Sequence, residues 1–105
     1  MTFTGNEDHS ISLNDATGFT ARYRETMGTD FLGGFFGKSA ISEILNQTGC
    51  VGIRIYNAID DKGENCYVLV GADSDENDMY DGKLAEVSLG CPPKCPEESP
   101  LAGTD

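Results

Sequence analysis

Two thiols near the end of the chain, Cys91 and Cys95, are separated by Pro92, Pro93 and Lys94. Cysteines at this spacing can close a small disulfide loop, supply half of a metal site, or remain unrelated thiols. Pro92 drives Cys91 towards extended geometry, and a straight polyproline path would hold the two cysteines about 12 Å apart, too far to bridge. A turn with Pro93 in its second place and Cys95 in its fourth would close the gap, because proline presets the dihedral that place requires. A thioredoxin-like role fits poorly, since that motif has two intervening residues and opens a helix. A closed zinc site needs four ligands, and only Cys50, Cys66 and His9 remain in the thiol and imidazole inventory.

Oxygen ligands form the second candidate. Asp73, Asp75 and Asn77 alternate as a calcium loop opens, and Asp78 and Asp81 follow closely. The EF-hand pattern then fails, with Asp78 where glycine is required and Leu84 where a bidentate glutamate is required. The expectation is either a divalent-cation site of a different kind over Asp73, Asp75, Asn77, Asp78 and Asp81, or a solvated acidic turn. The whole chain carries a net charge of −11 from 18 acidic and seven basic residues. Residues 60–81 hold eight of those acids and only Lys62 to offset them. Such a surface repels phosphate backbones, so nucleic acid is not an expected partner.

The third candidate is apolar. Phe31, Leu32, Phe35 and Phe36 lie on a glycine-rich stretch with neither helix nor strand periodicity, which reads as a loop. It either folds over the core or presents an aromatic interface to a partner or a second copy. Gly33, Gly37, Lys38 and Ser39 resemble a phosphate-binding loop, but the first glycine is one residue too close, and no strand of useful length precedes it. No nucleophile, base and orienting group occur at suggestive spacing, so neither catalysis nor a cofactor is implied.

The elements that must position these groups begin with a helix. Ser12 and Asp15 resemble a capping box, flanked by Ile11 and Ala16 at the places of a hydrophobic staple. Leu13, Ala16, Phe19, Tyr23 and Met27 recur at helical spacing, predicting a helix over 13–27 that stops at Gly28. A second short helix is predicted over 38–47, with Ile41, Ile44 and Leu45 on one side and Gly49 as its stop. Val51, Ile53 and Ile55 then alternate with Gly52, Arg54 and Tyr56, the period of a half-buried strand. Asp61, Lys62 and Gly63 make a turn, and the apolar run over 66–70 returns as a hairpin. A turn centred on Lys62 pairs Ala58 with Cys66, and Cys50 with Ser74. Cys66 then lies about 26 Å from the partner of Cys50, against a limit of about 7 Å for bridged Cα atoms, so Cys50 and Cys66 should remain free thiols. A weaker third strand is expected over 83–89.

Helices followed by strands predict an α+β domain, with two N-terminal helices packed on a small three-stranded antiparallel sheet. Residues 1–10 read as a flexible N-terminus, 11–90 as the single domain, and 91–105 as a Cys-Pro-Pro-Lys-Cys clasp and loose tail. At 105 residues the chain is too short for a doubly wound nucleotide-binding fold. It has no apolar run that would span a bilayer. Residues 1–10 are polar, without a basic start or an apolar stretch, which sets the expectation of a cytoplasmic address.

Taken together, residues 34–45, 49–56 and 68–78 and the Cys-Pro-Pro-Lys-Cys motif resemble an uncharacterised family of small bacterial proteins, over most of residues 9–95. The resemblance implies no activity, ligand or catalytic residue. The expectation is therefore a small acidic interaction or structural module that self-associates or docks a protein partner. Its alternative is a metal-binding protein, holding calcium on the 73–81 loop or a thiophilic ion at Cys91 and Cys95.

Overall fold

The computed structural model describes residues 2–86 and 89–104. In chain order the elements are α1 (Leu13–Met27), β1 (Gly33–Phe35), α2 (Lys38–Leu45), β2 (Cys50–Ile59), β3 (Asn65–Asp73), β4 (Leu84–Glu86) and β5 (Leu89–Cys91). The fold is α+β, with an antiparallel sheet ordered β2-β3-β4 and a separate two-stranded pairing of β1 with β5.

The hairpin forms in the register set by its turn. Ala58 stands opposite Cys66, and the pairing continues to Gly52 opposite Ala72. Asp60 organises the turn: its Oδ1 accepts from the N–H groups of Lys62 and Glu64, both at 2.9 Å. A bulge between Cys50 and Gly52 shifts the last pair, so Cys50 meets Asp73 and not the expected Ser74. One extra residue in one strand reverses the side of the sheet that the following side chain faces. Cys50 Sγ is thereby brought over Gly71.

β3 is the central strand, and its alternate residues are buried on both sides. Tyr67, Leu69 and Gly71 share one face, and Cys66, Val68, Val70 and Ala72 the other. Cys66, Leu69, Val70 and Ala72 are buried and, with Ile44, form the core. Helix α2 crosses the first face where Gly71 permits close approach. A Cβ at Gly71 would stand 3.0 Å from both Cys50 Sγ and Gln47 Nε2, and 3.4 Å from Ile44 Cγ2. Phe31 covers the same face nearer the turn, its ring centroid 5.4 Å from that of Tyr67.

Helix α2 ends at Leu45, two residues before the expected boundary. The side chain of Gln47 takes over there: Nε2 donates to Ile44 O at 2.9 Å, and Oε1 accepts from Lys83 N at 2.8 Å. The amide thus satisfies a helix-end carbonyl and ties the helix to the segment entering β4.

The expected third strand over 83–89 is divided. β4 pairs with β3, and β5 pairs with β1, with Gly34 opposite Gly90. Residues 87–88, which that expectation included, lie outside the described residues. The glycine-rich stretch read as a loop is therefore partly strand. Its lack of alternation reflects a three-residue ribbon, too short to display a period.

Helix α1 spans the predicted residues. Ser12 caps it by accepting from Asp15 N, and Gly28 N–H closes it onto Arg24 O. Its packing differs from expectation, because no residue of α1 is buried. Its half-buried positions are Ala16, Thr17, Thr20, Ala21 and Arg24, an arc that overlaps the edge of the predicted stripe, whose large members stay exposed. The extensive helix–sheet contacts are those of α2 with β2 and β3. The Cα radius of gyration, 15.3 Å, exceeds the roughly 13 Å of a compact domain of this length.

Both ends of the chain are better anchored than their composition suggests. Phe3 N donates to Ser74 O at 3.0 Å, and Arg24 Nη1 donates to Leu101 O at 2.9 Å. Ser99 and Thr104 form an isolated bridge within the tail. Ile44 is 1% exposed. Ile44→Ala is therefore expected to lower unfolding free energy by about 2–5 kcal/mol, because the void falls between α2 and a glycine that cannot fill it. Urea denaturation monitored by far-UV circular dichroism checks this value.

Candidate functional site

The acidic loop folds back on the sheet with two of its carboxylates, Asp73 and Asp78, engaged. Asp73 Oδ1 accepts from Asp75 N at 2.9 Å and Asn77 N at 3.0 Å, curling the chain around its own side chain. Asp78 reaches further. Its Oδ1 accepts from Arg54 Nη1 at 2.5 Å, and its Oδ2 accepts from the Tyr56 hydroxyl at 2.5 Å. Arg54 Nη1 also donates to Glu76 O at 3.2 Å, and its guanidinium lies 5.5 Å from the ring centroid of Phe3.

Alternation along β2 sets up this cluster. Arg54 and Tyr56 are two residues apart and so lie on one face, opposite Val70 and Val68 of β3. Tyr56 is the largest cause holding the Asp78 carboxyl below its usual range, and Arg54 adds to it. In return, Asp78 raises the Tyr56 phenol above its ordinary value by favouring the protonated donor. Among the described residues, no three His, Cys, Asp or Glu side chains group as a metal site. Of the expected cation ligands, Asp73 serves the loop backbone and Asp78 clamps β2. Asp81 lies further along the same loop, in a shallow depression with Arg54, Met79 and Gly82.

The expected thiol pair is brought together: Cys91 and Cys95 are joined by a disulfide with their Cα atoms 4.7 Å apart. Lys94 N donates to Gly90 O at 2.8 Å, and Cys95 N to Pro93 O at 3.0 Å, folding the segment back on itself. The Cys91–Pro92 and Pro92–Pro93 peptide bonds are cis. With Cys95 N–H on Pro93 O, where the expected turn would place it on Pro92 O, the chain folds back by a different hydrogen-bond pattern from the one considered from sequence. Cys50 and Cys66 are free; Cys66 is buried and Cys50 partly so. Burial is the largest cause raising the Cys66 thiol pKa, with Asp60 and Glu86 adding to it.

The four expected interface residues separate. Phe31, Leu32 and Phe36 are partly covered, while Phe35 is 59% exposed. The larger apolar surface lies elsewhere, on α1, where Leu13 is 63%, Phe19 57% and Met27 65% exposed, with Tyr23 beside them. The sequence reading had the right residues on one stripe but turned that stripe towards the core. The covered arc, Ala16, Thr17, Thr20 and Ala21, is turned only part of the way from that stripe and shares Ala16 with it.

Compared with protein-family models, curated proteins and solved structures, the chain matches none.

Two expectations follow from this geometry. The folded-state pKa of Asp78 is depressed, so its contribution to stability is present above the unfolded-state value of about 3.9 and is lost as pH falls through the lower folded-state value. Asp78→Asn should lower the melting temperature at neutral pH and flatten its fall on acidification, the two profiles converging at the acid end; calorimetry across pH checks this. With Ellman's reagent, the oxidised chain should yield two thiols after unfolding and four after reduction, and Cys66 should react more slowly than Cys50 in the native state.

Proposed function

We propose that the chain is a small non-enzymatic interaction module that docks helix α1 into an apolar groove on a protein partner. The carrying observation is the exposed stripe of Leu13, Phe19, Tyr23 and Met27 on a helix with no buried residue. Apolar groups spaced by about one turn are the anchors of helix-in-groove recognition. Isolated helices of this length are marginal in water, so a two-capped helix held through Arg24 gains stability when a partner covers its open side.

Charge narrows the partner. Asp15 and Glu25 balance Arg22 and Arg24 on the helix itself, while the whole chain carries −11. A groove with an apolar floor and a basic rim matches both features, and the surrounding acids steer its approach. Among the described residues no helix is long and apolar enough to cross a membrane.

The combined Phe19→Ser and Met27→Ser variant tests this reading. Both side chains are exposed, so the melting temperature should stay within a few degrees of the wild type. A partner recovered from native lysate by the wild-type chain and by Phe35→Ser should be lost with the double variant. Equal recovery by all three baits would remove α1 as the docking element.

A further inference from the structure

We infer that a second copy of the chain pairs with the outer edge of β2, antiparallel about a two-fold axis at Asn57, joining two three-stranded sheets into one of six strands. The inference stands on observations separate from those behind the α1 reading.

β2 is the longest strand and lies at the edge of its sheet; among the described residues only β3 pairs with it. Exposed edges of this length are normally blunted by proline, lysine, a bulge or covering chain. The first half of β2 has such protection. The bulge lies between Cys50 and Gly52, and the N-terminal segment passes there so closely that a Cβ on Gly5 would stand 2.8 Å from Val51 O. Gly5 also has φ +87, so this strap is fitted to that end of the strand.

The second half has neither device. Ile55 is 61% and Ile59 71% exposed, and four positions apart, twice the strand period, they share one face. No proline or lysine interrupts β2.

The choice of a second copy rests on charge and register. β2 contains no acid, and its one charged residue, Arg54, is paired with Asp78 of its own chain. In a molecule of net charge −11, this ten-residue edge is one that two copies can bring together without opposing carboxylates. A two-fold axis at Asn57 sets Ile55 opposite Ile59 of the second copy, Tyr56 opposite Ala58, and Arg54 opposite Asp60. The two most exposed isoleucines of β2 therefore cover each other, and no like charges stand directly opposed. The close backbone approach of the strap, at Val51, lies outside the paired segment, while Phe3, Glu7 and His9 border an open depression shared with Arg54 and Ile55 at its margin.

Sedimentation equilibrium of the full chain up to millimolar concentration tests the pairing. The wild type should show a monomer–dimer equilibrium, and Ile55→Lys should weaken it at least about tenfold while keeping the monomer's circular dichroism. Phe19→Ser should leave the dimer unchanged, which separates this inference from docking through α1. Should Ile55→Lys fail to fold, cross-linking decides: Asn57→Cys, at the axis, should form a 57–57 disulfide dimer on mild oxidation, mapped by mass spectrometry, and Lys62→Cys should not. A strict monomer at millimolar concentration, a dimer lost with Phe19→Ser but kept with Ile55→Lys, or the absence of the 57–57 bridge would overturn the inference.

Discussion

The antiparallel ladder between β2 and β3 positions most of what surrounds it. With Ala58 opposite Cys66 and Gly52 opposite Ala72, Gly71 falls where α2 crosses, and Arg54 and Tyr56 fall where the acidic loop returns. A slip of one residue would exchange the two faces and bring neither arrangement together. The bulge at Val51 adjusts this register at one end, placing Cys50 beside Gly71 under Gln47. Gln47 then carries the order outward, from the end of α2 to the backbone that enters β4.

Electrostatics supports the same arrangement from the second face. A chain with excess acid in residues 60–81 would repel itself if those carboxylates simply faced solvent together. Three features counter this: Asp60 accepts from its turn, Asp73 from its loop, and Asp78 from Arg54 and Tyr56. Each carboxylate meets N–H or O–H donors, and at Asp78 these hold the carboxyl below its usual range. The ion pair of Lys83 with Glu43, at 3.7 Å with both side chains exposed, contributes little by comparison.

The small core has a further consequence. Ile44, Cys66, Leu69, Val70 and Ala72 are its buried apolar members among the described residues. The first face of the sheet meets α2 and Phe31, and the second meets Arg54, Tyr56 and the loop that holds Asp78. Helix α1 is left with the C-terminal tail through Arg24, and its large side chains remain in water. Exposed α1 and the open half of β2 are thus two results of one shortage, a sheet of only three strands with more apolar side chains than it can cover.

Much of this was legible in local sequence, and the limits have identifiable causes. Ser12, Gly28 and the 13–27 stripe gave α1 its boundaries because caps and helical period are short-range properties. The turn at Lys62 gave the hairpin register, and with it the separation of Cys50 from Cys66, because antiparallel partners sum to a constant. Missed were the Val51 bulge, the division of the last strand, the β1–β5 ribbon and the engagement of Asp78 by β2. Each depends on partners 14 or more residues away, and three-residue strands carry too few residues to show alternation. The sequence by itself determined the two helices, the hairpin with its turn, and that Cys50 and Cys66 stand too far apart to bridge, while it left open whether Cys91 and Cys95 join. Only the tertiary structure decided which side of α1 faces the protein, since periodicity defines an apolar stripe without saying whether any surface remains to cover it.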